Sequence, residues 1–151
     1  MDIHKGEGHQ FGNFPNYYNF HPTTERTSLL PQSLFENLWA ELKFPEKLFL
    51  LDIGCNEGDL TIEIFNLASE NLKGKCEIFI LGVDLDTELI EKAKEKSKNF
   101  YPSIQFESLD IMNSEQDTIE QYLSHFKVES FDFVSCFSIT MWIHINHGDE
   151  V

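Results

Sequence analysis

The chain has 151 residues, 41% of them hydrophobic and 13% aromatic, which suffices for one globular domain and hardly for two. A net charge of −15, with a sequence pI near 4.6, by itself speaks against a nucleic-acid partner, because phosphate binding draws on Lys and Arg. The three cysteines, Cys55, Cys76 and Cys136, form no CxxC pair and are odd in number, so they suggest neither a disulfide framework nor a zinc knuckle and fit a reducing compartment.

Residues 1–28 are rich in Gly, Asn, His, Pro and aromatics and show no helical or strand period, so they read as an extended leader. QFGNFPNYYNFHP is nevertheless too aromatic for an ordinary disordered tail. The start MDIHKGEGHQ lacks the basic and apolar regions of a signal peptide, and no apolar run approaches the roughly 18 residues of a membrane span. Pro31 opens a predicted helix, PQSLFENLWAEL, in which Leu34, Phe35, Leu38, Trp39 and Leu42 form one apolar stripe, and Pro45 closes it.

From there strand and helix alternate. KLFLLDIG is a nearly continuous apolar run ending in Gly, the pattern of a strand buried on both faces. EGDLTIEIFNLASENLKG follows with helical spacing at Leu60, Ile64, Phe65 and Leu67, and Gly74 ends it. EIFILGVD is a second buried strand, TELIEKAKEKSKNF a second helix in this series, and SIQFESLD a third strand of alternating type. SEQDTIEQYLSHF is the next helix and SFDFVSCFS the fourth strand. Three such alternations with short connections predict an α/β fold, a doubly wound parallel sheet. Four lysines lie in KAKEKSK (92–98), interleaved with acids as on a solvated helix face.

Ligands of open parallel sheets bind outside the carboxyl ends of the strands. The first strand ends in LDIGCNEGD, where Gly54 and Gly58 flank a turn that can bring backbone amides close to a ligand, with Asp52 placed to order it. The GxxxG spacing is neither the dinucleotide GxGxxG nor a Walker A loop. The second strand ends in Asp84, which can accept both hydroxyls of a ribose or, with Asp86, cap the following helix. The third ends in Asp110 and Ile111, a polar group and an apolar neighbour suited to an adenine, or a plain loop aspartate.

These three endings in order resemble the class I S-adenosylmethionine-dependent methyltransferases. The leader QFGNFPNYYNFHP, LDIGCNEGDLT and the terminal SITMWIHINHGDE together resemble the bicoid-interacting family of RNA 5'-phosphate methyltransferases. Met141 and His147 are similar to its 5'-monophosphate branch, since the triphosphate capping branch has Lys and Trp there. The resemblance implies a Rossmann-like domain, the cofactor S-adenosyl-L-methionine, and small-RNA 5' ends, of pre-microRNA and histidine tRNA, as partners in the cytoplasm with no membrane.

It further implies that Arg26, Asp52, Gly54, Asn56, Asp84, Asp110, Ile111 and Phe137 line the cofactor pocket. Arg26, the sole arginine, has the fork to clamp a carboxylate, or else it makes a surface ion pair in TTERTS. Asn13, Tyr17 and Tyr18 either fold over the ligands or simply pack. His144, Asn146 and His147 have the chemistry to position a phosphate, or they form a tight turn; a zinc site from His144, His147 and Asp149 is thinly supported. The implied division is a leader over 1–28 and the N-terminal part of one methyltransferase domain over 29–151. The family continues beyond four strands, so the sequence is expected to be truncated. A piece of this kind could bind cofactor or a partner without catalysis, and the capping branch or another phosphate or small acid is the rival substrate class. The family's further strands and helices could also supply the basic residues that this acidic chain lacks.

Overall fold

The computed structural model describes residues 17–20, 22–113 and 115–137. Among these, four parallel strands form one sheet: β1 (Lys47–Ile53), β2 (Glu77–Asp84), β3 (Ile104–Ser108) and β4 (Phe133–Cys136). Their spatial order is β3-β2-β1-β4. The chain therefore builds outward from β1 to β3, then returns to set β4 against the other side of β1. That reversal makes a switch point at the carboxyl end of β1.

The helices among the described residues are α1 (Tyr17–Phe20), α2 (Thr23–Thr27), α3 (Leu34–Glu41), α4 (Asp59–Leu72), α5 (Thr87–Ser97) and α6 (Thr118–Phe126), with a 3-10 turn at Lys98–Phe100. They cover both faces of the sheet. Alternate β1 residues point opposite ways, so Leu48 and Leu50 join a core with Phe35 of α3, Ile64 and Leu72 of α4, and Ile90 of α5. Phe49 and Leu51 join a second core with Tyr122, Leu123 and Phe126 of α6. Phe49 stacks on Phe79 with ring centroids 5.3 Å apart, and Phe126 tilts onto Phe79 at 4.9 Å. The continuous apolar runs of β1 and β2 are thus explained by burial on two faces.

Strand β3 alternates because it is an edge: Ile104 and Phe106 are buried, whereas Glu107 is exposed. Strand β4 is the other edge among the described residues, and its Val134 is 52% exposed.

Three expectations are corrected. The supposedly extended leader contains α1 and α2, whose four and five residues are too short to show a helical period. Helix α3 begins at Leu34, not Pro31, because the Leu34 amide closes a turn onto the Pro31 carbonyl at 3.0 Å. Helix α6 begins at Thr118, not Ser114. Ahead of it the side chain of Gln116 accepts from the Asp110 amide at 2.9 Å and that of Asn113 accepts from the Glu115 amide at 3.0 Å, alternatives to helical bonding.

Gly82, in the middle of β2, lies under the Phe106 ring: a Cβ there would stand 2.5 Å from Phe106 Cδ1. Neither the strand nor the fully buried ring can yield cheaply. Gly82→Ala is expected to destabilise the chain by about 1–3 kcal/mol in urea unfolding. Combined with Phe106→Leu, it should cost less than the sum of the two single changes; additive effects would count against this contact.

Candidate functional site

The rim at the carboxyl ends of β1 and β2 is built from a turn and two carboxylates. Gly54 and Cys55 direct their amides to the Val83 carbonyl, at 2.8 and 3.0 Å. The Asn56 amide donates to Asp84 Oδ2 at 2.9 Å, the Glu57 amide to Asn56 Oδ1 at 2.8 Å, and the Gly58 amide to the Cys55 carbonyl at 2.9 Å. The amides of residues 54–58 are therefore all engaged inside the protein. This corrects the expectation that the turn offers N–H donors. With its amides spent internally, the turn has none to give an anion.

Backbone at Gly58 has φ 85°, and a Cβ there would stand 2.6 Å from Phe106 Cζ and 3.0 Å from the Ala93 Cβ. Glycine is required for both conformation and space. Asn56 also takes a positive φ of 52°, which asparagine tolerates better than most residues.

Asp52 lies behind the turn. It is 2% exposed, accepts from Thr61 of α4 at 2.5 Å through Oδ2, and from Ser135 of β4 at 2.7 Å through Oδ1. Burial pushes its carboxyl up to about 6; the two hydroxyl bonds oppose this and the neighbouring Asp84 adds to it. Cys55, wholly buried beside it, has its thiol pushed up by burial, Asp52 and Asp84, which keeps it protonated and inert.

Asp84 is half-buried at the end of β2 and accepts from the amides of Asn56 and Asp86, the latter at 3.0 Å. Burial raises its carboxyl, with those amide bonds opposing. An ionised carboxylate offers about four acceptor positions. The amides of Asn56 and Asp86 use two, and the Leu85 amide also favours the ionised form, so the backbone takes most of this capacity. The helix-capping alternative falls to Asp86, whose Oδ1 accepts from the Glu88 and Leu89 amides at 2.8 and 3.3 Å. Leu85 between them is 42% exposed, an apolar surface beside the carboxylate.

Farther along the rim, the Leu109 amide donates to the Asp84 carbonyl at 2.9 Å, tying the end of β3 to that of β2. Asp110 Oδ1 accepts from the Met112 amide at 3.0 Å, an Asx turn, and Ile111 packs on the α6-side core. Phe137, just past β4, packs on the opposite core. On the α4 side Arg26 donates to the Tyr17 hydroxyl, its guanidinium carbon 5.2 Å from the ring centre. Burial pushes the Tyr18 phenol well above its usual range, Asp52, Cys55 and Asp59 push the same way, and Arg26 opposes them. Tyr17 and Tyr18 are in contact edge to face, with centroids 5.4 Å apart.

The lysines of KAKEKSK do more than solvate a helix face. Lys92 and Lys96 of α5 hold the two oxygens of Glu57 at 3.2 and 3.0 Å, and Lys96 also reaches Asp59 at 2.8 Å. Burial works against the Lys96 charge, and its bonds to Asp59 and Glu57 outweigh it, leaving its pKa raised. These pairs pin the glycine turn to α5. Ser135, Lys92 and Lys96 had no local signal, since each meets its partner across the fold, and Thr61, nine residues after Asp52, was passed over.

Asn13, His144, Asn146, His147 and Asp149 lie outside the described residues. Among the described residues, no group of three or more His, Cys, Asp or Glu is placed to hold a metal ion, and no helix is long and apolar enough to cross a membrane.

A parallel sheet with a glycine turn after its first strand and a carboxylate after its second defines a nucleotide-type α/β binding domain. Residues 46–148 match the family model described as "Methyltransferase domain", and the chain belongs to that family. It is 37% identical to a pre-miRNA 5'-monophosphate methyltransferase of Danio rerio, over 92% of this chain and 57% of that protein. It is 38% identical to the RNA 5'-monophosphate methyltransferase of Homo sapiens, over 93% of this chain and 50% of that protein. Identity to the Mus musculus RNA 5'-monophosphate methyltransferase is 40%, over 93% and 52%. The chain spans about half the length of the curated relatives it matches. Among solved structures, the bifunctional kinase-methyltransferase WbdD superposes with a TM-score of 0.58 at 21% identity, over 91% of this chain and 27% of that chain, and so shares the fold.

The raised Asp52 carboxyl makes a signed prediction. The folded state keeps its proton to about pH 6 while the unfolded state releases it near 3.8, so the stability this group contributes is present below pH 4 and is lost as pH rises through 6. The difference is on the order of 3 kcal/mol. Asp52→Asn keeps an acceptor for Thr61 and gains a donor for Ser135. Urea unfolding from pH 4 to 8 should show the variant gaining on the unsubstituted chain as pH rises; parallel curves would contradict the shift.

Proposed function

We propose that the chain binds S-adenosyl-L-methionine at this rim, and that the whole protein methylates the 5'-monophosphate of small RNAs, pre-microRNA and histidine tRNA among them, in the cytoplasm. The observation that carries the substrate is the 37–40% identity to relatives named for that activity, sustained over 92–93% of the chain. The cofactor reading is supported by the donor set. Asp84 stands at the carboxyl end of β2, where its carboxylate would accept from a ribose, and Leu85 and Ile111 supply apolar neighbours.

When bound, S-adenosylmethionine supplies an electrophilic methyl on a sulfonium. An RNA phosphate oxygen is already anionic near neutral pH, so the protein need not supply a strong base, and its contribution is positioning with exclusion of water. Arg26 would hold the ligand carboxylate as a fork. Asp84 would orient the ribose, and the buried tie at Asp52 would keep the turn from shifting. His144, Asn146 and His147 would position the phosphate as hydrogen-bond donors that leave its attacking oxygen free. Asp84 and Asp86 disfavour a phosphate beside them, and the RNA end would meet other residues.

Two measurements test the reading. Calorimetry on the 151-residue chain should register S-adenosylmethionine binding, weakened roughly 10-fold or more by Asp84→Ala, which removes hydrogen bonds to a charged group. Matched RNAs bearing 5'-hydroxyl, monophosphate or triphosphate, offered to the whole protein, should be methylated only as the monophosphate, because a site built on that group rejects an analogue lacking it by orders of magnitude. Equal activity on 5'-hydroxyl RNA would sink the substrate; preference for triphosphate would place the protein with the capping branch.

A further inference from the structure

Helix α2 has no obvious reason to stay where it is. It has five residues, none of them buried, and no side-chain cap. Helices that short do not hold on propensity. What fixes it is Glu63, on the second turn of α4, whose carboxylate takes both threonine hydroxyls of α2. Thr27 Oγ1 donates to Oε1 at 2.6 Å, and Thr23 Oγ1 donates to Oε2. Hydroxyls four residues apart lie on one face of a helix. A single carboxylate that bridges them therefore sets both the height and the rotation of α2 on α4.

Arg26 lies three residues after Thr23 and one before Thr27, so its direction follows from that rotation. Its donor bond to Tyr17 and contact with the Tyr17 ring carry the order on to α1. Tyr18, the next residue, packs against the core that contains Cys55 and Leu60, at the glycine turn and the start of α4.

We propose that Glu63 is a positioning residue: by bridging Thr23 and Thr27 it docks α2 on α4 and aims the Arg26 guanidinium at the ligand rim. The role rests on the reading of Arg26 as the group that meets the cofactor's carboxylate. Glu63 itself touches no ligand; it acts through the helix that carries the arginine.

Two readouts on the 151-residue chain test this. Hydrogen exchange of the ligand-free chain should show faster exchange at the Ser28, Leu29 and Leu30 amides in Glu63→Ala, with β1 amides as protected as before. Glu63→Gln, which keeps one acceptor, should recover part of the protection. A double-mutant cycle in calorimetry, with S-adenosylhomocysteine as probe, should show Glu63→Ala and Arg26→Ala each weakening binding by roughly 10-fold. The double variant should be no weaker than Arg26→Ala alone. Unchanged exchange at residues 28–30, or losses that multiply in the double variant, would overturn the proposal. If the unsubstituted chain fails to bind the probe, the cofactor reading falls instead, and the exchange comparison still decides whether Glu63 docks α2.

Discussion

The Asp52 carboxylate is the joint on which the rest of the rim depends. It lies at the end of β1, where the sheet reverses direction, and its two oxygens reach α4 on one side and β4 on the other. No other described contact ties β1, the helix that follows it and the strand that returns beside it at one point. The geometry has an electrostatic cost, since a buried acid held by two neutral hydroxyls resists ionising, and burial raises its pKa accordingly. Apolar burial in the two flanking cores offsets such a cost many times over.

Above that joint, the turn from Gly54 to Gly58 is held by a second tier of contacts. The backbone of β2 takes two of its amides, Asp84 a third, and Lys92 and Lys96 grip Glu57 from α5. A loop whose amides are all engaged inside the protein has none to offer an anion. Asp84 and Asp86 add negative charge at the neighbouring strand end, so this part of the rim disfavours a phosphate.

How much of this was legible in the sequence depended on the range of each interaction. Strands β1 and β2 stood out as apolar runs because burial on both faces leaves no polar alternation, and β2 matches its EIFILGVD run end to end. Helices α4 and α5 followed from their spacing. Helices α1 and α2 did not, because four or five residues give no period, and α2 is held by Glu63, about forty positions away. The same limit hid Ser135: a serine on an edge strand carries no mark of the aspartate 83 residues earlier. The lysines of α5 do lie on an exposed helix face, and Lys98 pairs locally with Glu95, yet Lys92 and Lys96 also reach the glycine turn, which their own segment does not show. The order of strand endings pointed to a cofactor-binding rim, while the use made of each amide and oxygen there was visible only in three dimensions.

The central claim is that the ligand sits at the carboxyl ends of β1, β2 and β3, facing the glycine turn and Asp84. The most direct test is amide chemical-shift mapping of the isotopically labelled chain titrated with S-adenosylhomocysteine. The account predicts that the largest shifts fall at Gly54 to Asp59, at Leu85 and Asp86, and at Ile111 and Met112. Shifts confined to the opposite end of the sheet, around Tyr101 to Gln105, or none at saturating ligand, would contradict it.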